Sequence, residues 1–235
     1  MAIALEPKHI VGTAERLKKR VSERFPDSGL SRVADAVLKT AKEADRRSAA
    51  VAKAHLPLRA AVWLLAAVML GGVALAFQRA SAAPGFSSVA DLLQGVDAAA
   101  NIMLLAGAGI LSLWKYEENR RRAKGLALVH ELKSLAHVVD MHQLTKDPET
   151  VSERASRTDS SPARKMTRFE LARYLDYCSE LLSVIGKIAA TYGRRLQDPV
   201  VLEAIDGAED LTTGLSTKIW QKIAILGADG RAAKA

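Results

Sequence analysis

The 235 residues hold 34 Lys and Arg against 26 Asp and Glu, a formal net charge of +8, with a single cysteine. One thiol excludes an internal disulfide framework, and an aromatic share of 5% amid abundant Leu and Ala favours helix over sheet. The basic balance admits nucleic acid or a membrane surface as partner, and the order of the residues decides between them.

Residues 1–57 read as an N-terminal helical segment. A basic amphipathic helix is expected over 13–24, with Leu17, Val21 and Phe25 on one face. Such a face suits the membrane surface or packing as a first helix. The string FPDSG at 25–29 is a break. A second helix is expected over 31–55, with Val33, Val37, Ala41, Ala44 and Val51 along its apolar side. Pro57 marks its junction with the first of two apolar stretches. The polar residues ahead of that junction argue against a cleavable signal peptide.

Those two stretches carry no charged residue and no histidine: AAVWLLAAVMLGGVALAF at 60–77 and AAANIMLLAGAGILSLW at 98–114. Each approaches the length that spans a hydrocarbon core of about 30 Å, where a backbone must satisfy its own hydrogen bonds as helix. Transmembrane helices are therefore expected at 58–78 and 98–116, joined by a short external loop at 79–97. That loop has a turn at 83–85 and a short amphipathic piece at 89–96. Lys42, Arg46, Arg47, Lys53 and Arg59 precede the first span, and Lys115, Arg120, Arg121, Arg122, Lys124 and Lys133 come after the second. The loop holds Arg79 alone, so the positive-inside rule puts both termini in the cytoplasm. Trp63, Trp114 and Tyr116 fall where an aromatic belt requires them, and anionic lipid would reinforce Arg120–Arg122. The membrane-interface residues are thus Arg59, Trp63, Trp114, Lys115, Arg120, Arg121 and Arg122. Ala67 with Gly71, and Gly72 with Ala76, stand at small-xxx-small spacing, while Met103, Gly107 and Leu111 share a face. These serve packing inside the hairpin or dimerisation. Asn101 sits near the outer end. The spans have no polar stripe to line a pore.

After Trp114 nothing stops the helix before 146–148 except a tolerated Gly125, so a cytoplasmic extension is expected over 117–144. Leu128, Leu132, Leu135, Val139 and His142 recur at heptad spacing. The Ser-, Arg- and Glu-rich run 145–165 reads as a mobile linker. An antiparallel helix pair is expected over 166–226, and then a tail at 227–235. Thr167 and Glu170 form a capping box, and Leu171, Leu175, Cys178, Leu182, Ile185, Ala189 and Tyr192 hold the seam until Gly193. Asp198 and Pro199 start the last helix, with Val201, Ile205, Ala208, Leu211, Leu215, Ile219 and Ile223 facing inward. The fold class is all-α: a membrane helical hairpin with a cytoplasmic helical bundle. Leu128, Leu132, Leu135, Val139, Leu171, Leu175, Leu182, Ile185 and Trp220 are the candidate interface residues.

Chemistry is sparse. His130 and His137 lie roughly 10 Å apart along a helix and cannot share a metal ion. His137 and Asp140, one turn apart, supply two ligands if another helix provides the rest, with His142 on the heptad face. The plainer reading makes them bundle residues or a solvated face. Cys178 has no histidine in its helix and reads as a buried thiol. Arg168, Glu170, Arg173, Tyr174, Asp176 and Tyr177 are expected on the polar sides of their helix. No phosphate loop, serine elbow or zinc quartet occurs, so neither an enzyme nor a cofactor is indicated. Basic clusters interleaved with stacking aromatics are absent too, so nucleic acid is not expected.

The strings LVHELKSLAHVVDMHQLTKDPE and LTTGLSTKIWQKI resemble segments of an uncharacterised family of bacterial integral membrane proteins with two central spans. The resemblance implies a bacterial inner-membrane setting and carries no activity, cofactor or partner. The function expected is a non-catalytic scaffold, adaptor or signalling component that self-associates or docks a partner. An oligomeric pore and a metal- or proton-responsive regulator are the alternatives.

Overall fold

The computed structural model describes residues 5–53, 56–82, 89–146, 148 and 166–232. Six helices order them: α1 (Pro7–Arg24), α2 (Gly29–Ala52), α3 (Leu56–Ala82), α4 (Val89–Leu144), α5 (Arg168–Gly193) and α6 (Pro199–Ala232), with no strand among the described residues. The protein is therefore all-helical. It divides into two units, Lys53–Ala123 and the remainder, with α4 contributing to both.

Local chemistry sets the helix ends. Pro7 occupies the first turn of α1, where its missing N–H costs nothing. At the α1–α2 break Asp27 takes φ 56°, a left-handed conformation that a short polar side chain tolerates. Ser28 Oγ there accepts from Ser31 N at 3.1 Å and donates to Phe25 O at 2.8 Å. The capping box of α5 is complete: Thr167 Oγ1 accepts from Glu170 N at 3.2 Å, and Glu170 Oε2 accepts from Thr167 N at 2.8 Å. These bonds hold the Glu170 carboxyl below the usual range. Asp198 Oδ1 caps α6, accepting from Val200 N at 3.0 Å and Val201 N at 3.2 Å.

The larger unit is a five-helix bundle built around α5. Fourteen of the 26 residues of α5 are buried, among them Leu171, Leu175, Cys178, Leu182, Ile185 and Tyr192. A helix apolar over so much of its circumference needs neighbours on several sides. α6 returns antiparallel along one side, with Ser179 Oγ 2.6 Å from Ser216 Oγ. α1 and α2 cover other sides. Arg20 of α1 makes a bidentate pair with Glu180, and Arg195, in the turn after α5, reaches Asp45 of α2 at 2.7 Å. Ile10, Ala14, Leu17, Val21 and Phe25 enter the common core, so α1 is a packed first helix whose apolar face is occupied within the protein.

The last part of α4 closes the bundle against α2 and α6. Arg47 donates to Glu131 Oε1 at 2.9 Å, which holds the Glu131 carboxyl below its ordinary range. Val201 methyls of α6 stand 3.0 and 3.1 Å from where a Cβ on Gly125 would lie, so this glycine lets the two helices approach. α2 and α4 run antiparallel, as the pairs Gly29–His142 and Arg47–Glu131 show. The chain thus leaves and re-enters the bundle at one end.

In the smaller unit α3 and α4 run side by side and antiparallel, with Arg59 beside Glu117 and Leu65 beside Gly109. The partly covered positions are Leu58, Val62, Leu65, Ala66 and Met69 on α3 and Ala99, Ala106, Gly107, Gly109, Ile110 and Leu113 on α4. The expected small-residue packing is displaced from this seam. Ala67, Gly71 and Gly72 are exposed, and nothing lies within 4 Å of a Cβ placed on Gly71, Gly72 or Gly107. At the seam an aliphatic side chain, Leu65, meets a different glycine, Gly109.

Several boundaries shift. α1 begins at Pro7 rather than at 13, because proline serves the first turn. α3 runs to Ala82 and α4 begins at Val89, so helix enters both ends of the expected loop 79–97, and the piece at 89–96 is the start of α4. α6 continues to Ala232 through most of the expected tail. Residues 83–88 of the loop lie outside the described residues, as does the expected linker 145–165 apart from Thr145, Lys146 and Pro148. Leu182 is fully buried at the centre of α5. Leu182→Ala is expected to destabilise the bundle by about 2–5 kcal/mol, read as a lowered thermal midpoint by circular dichroism of the full-length protein in detergent.

Candidate membrane interface and docking surface

The apolar windows of α3 and α4 are unburied, and both helices are long and apolar enough to cross a membrane. Trp63 is 75% exposed, Leu70 73%, Leu104 71% and Leu105 71%. Exposed apolar surface of this kind marks a place of contact with a membrane or another protein.

At one end of this hairpin lies a charged cluster. Glu117 is only 7% exposed and sits between two guanidiniums, Arg121 at 3.0 Å and Arg59 at 3.9 Å. Lys115 and Arg122 each reach Glu118 at 3.3 Å, while Arg120 is exposed. Trp63 and Trp114 flank an apolar cleft of about 310 Å³ lined by Leu58, Val62, Ile110 and Leu113. All seven expected interface residues thus gather near one end of the hairpin. Glu117 went unnoticed in the sequence, where an acidic residue among arginines looks like an ordinary solvated i,i+4 pair.

The heptad residues fare differently. Leu128, Leu132, Val139, Leu171, Leu175, Leu182 and Ile185 are buried, and Leu135 packs against the same core. As candidate interface residues they are corrected: the faces that looked free are satisfied by α1, α2 and α6, leaving no seam to present. Tyr174 and Tyr177, expected on a polar side, are buried as well. Phe25 stands 5.3 Å from the Tyr174 ring and 6.3 Å from the Tyr177 ring, both edge-on. Burial raises the Tyr174 hydroxyl well above its ordinary value.

The residues proposed for metal binding do not converge. His137 is exposed, and Asp140 accepts from Gln143 Nε2 at 2.6 Å. His142 lies over Gly29, where a Cβ would stand 2.1 Å from its Cε1. Among the described residues no group of three or more His, Cys, Asp or Glu side chains is placed to hold an ion. Cys178 is fully buried and its thiol is pushed up to about 12 by that burial, which suits packing and opposes nucleophilic chemistry.

Trp220 is the candidate interface residue that stays open, 55% exposed. It borders a groove of about 340 Å³ between α5 and α6, lined by Ser183, Gly186, Ala190, Thr213 and Thr217 among others. The lining is small or hydroxylated. Lys187 Nζ donates to Ser183 Oγ at 2.6 Å, and Thr217 Oγ1 to Thr213 O at 3.0 Å. Glu209 lies along the same groove, with its carboxyl raised by burial and by Asp206 and Asp210. The signal for this groove was present as hydroxyl residues recurring every three or four positions before Trp220. It becomes readable only once α5 is seen to present small residues opposite.

Comparison of the chain with protein-family models, with curated proteins and with solved structures finds no match.

His142 carries a pH dependence. Burial, then Arg32 and Lys146, lower its pKa from 6.5. A lowered imidazole is neutral in the fold and takes a proton more readily when unfolded. Its contribution to stability is therefore complete above 6.5 and lost as pH falls below it. Thermal midpoints measured from pH 7.5 down to about 5 are expected to fall more steeply in the unaltered protein than in His142→Gln.

Proposed function

We propose that the protein is a non-catalytic scaffold, adaptor or signalling component anchored in a bacterial inner membrane by the α3–α4 hairpin. Its five-helix bundle is held at the cytoplasmic face, with both termini on that side. The observation that carries the anchor is the unburied apolar surface of two antiparallel helices with cations and tryptophans gathered at one end. Lipid is the solvent in which such a surface costs nothing, and a cation-rich end belongs at the cytoplasmic leaflet.

Docking falls to the bundle's outer surface, because its apolar seams are used internally. The α5–α6 groove beside Trp220 is the place for a helix of a partner protein or of a second copy. Small residues admit a close backbone, hydroxyls offer hydrogen bonds, and an exposed tryptophan is the side chain most often found as an anchor at interfaces.

A photo-crosslinking side chain at Thr213, on the groove wall, tests this in native membranes. A discrete adduct, self or foreign, that disappears in Trp220→Ala is expected. An adduct unaffected by Trp220→Ala, or none beyond that of a probe at exposed Glu23 of α1, overturns docking at the groove.

A further inference from the structure

We propose that the cleft at the Arg59–Glu117 end of the hairpin is a binding site for one anionic phospholipid, with Arg59 holding its phosphate and an acyl chain lying between α3 and α4. The inference rests on the membrane reading of the hairpin and adds to it a defined headgroup site.

Charge is the first argument. One buried carboxylate, Glu117, serves two guanidiniums, so a positive charge is left over in the trio. The distances assign it. Arg121 takes the close position at 3.0 Å, whereas Arg59 stands 3.9 Å away with its side chain 58% exposed. Arg59 is thus both loosely paired and exposed, and a planar guanidinium suits two oxygens of a phosphodiester.

Shape is the second. The cleft has about 310 Å³ and walls of Leu58, Val62, Ile110 and Leu113, with Arg59 and Glu117 at its charged end. That size lies at the lower edge of small-molecule sites, enough for a headgroup phosphate and the upper part of a chain. A polar metabolite would gain nothing from the aliphatic walls. A lipid matches both ends, and the indoles of Trp63 and Trp114 stand at its mouth, where aromatic side chains meet headgroups.

The two tryptophans also report on the site. The full-length Trp220→Phe protein retains Trp63 and Trp114 as its indoles. It is reconstituted in phosphatidylcholine vesicles holding a minor share of brominated lipid, as phosphatidylglycerol or as phosphatidylcholine. The brominated anionic lipid is expected to occupy the quenching position about five-fold more readily than the neutral one, a single arginine's contribution. Arg59→Gln should bring the ratio towards one, and Arg120→Gln should leave most of it. Equal quenching by the two lipids, or equal losses in the two variants, overturns the site while the hairpin remains in the bilayer. No quenching by either lipid overturns the membrane placement itself, and the site with it.

Discussion

The bundle depends on the burial of α5. More than half of this helix is removed from water, including aliphatic, aromatic and thiol side chains on most of its sides. A single antiparallel partner shields only one stripe of a helix. α6 covers that stripe, the remaining sides draw in α1 and α2, and the end of α4 closes the bundle against α2 and α6. The requirement fixes the order of the chain in space: residues from before the apolar hairpin must return to residues from beyond it. The turn Gly193–Gln197, the break at Asp27 and the close approach at Gly125 all belong to the packing of these five helices into one bundle.

The polar contacts of the bundle fall at the edges of this core. Arg20 with Glu180, Arg47 with Glu131 and Arg195 with Asp45 join helices far apart in sequence. All keep some exposure, so each adds little energy, but a misregistered helix would lose its partner. Apolar burial supplies the stability, and the ion pairs select the register.

The hairpin obeys a different balance. Its outward faces hold exposed Leu, Val and Trp, where the bundle keeps its aliphatic side chains covered. Both helices are apolar on every side, so shape rather than hydrophobicity decides which residues meet. Leu65 meets Gly109, Leu58 and Val62 share a cleft with Ile110 and Leu113, and nothing lies within 4 Å of a Cβ placed on Gly71, Gly72 or Gly107. The buried carboxylate at Glu117 is tolerable because Arg121 and Arg59 flank it.

The sequence by itself determined the helical class, the two apolar helices, the basic residues at one end and most helix ends. These depend on neighbours within a turn or two: uninterrupted hydrocarbon, a capping box at Thr167, an aspartate before Pro199. It also indicated correctly one apolar side of α5 and the apolar side of α6. What meets those sides was decided only by the tertiary structure. The heptad leucines of α4 and α5 looked like seams for another molecule, yet α1 and α2 occupy them. Tyr174 and Tyr177 looked solvated until Phe25 and α1 covered them. Glu117 looked like one charge in a surface series until α3 lay beside it. Periodicity along a helix sets which side must leave water, whereas the surface that covers it comes from residues any distance away in the chain.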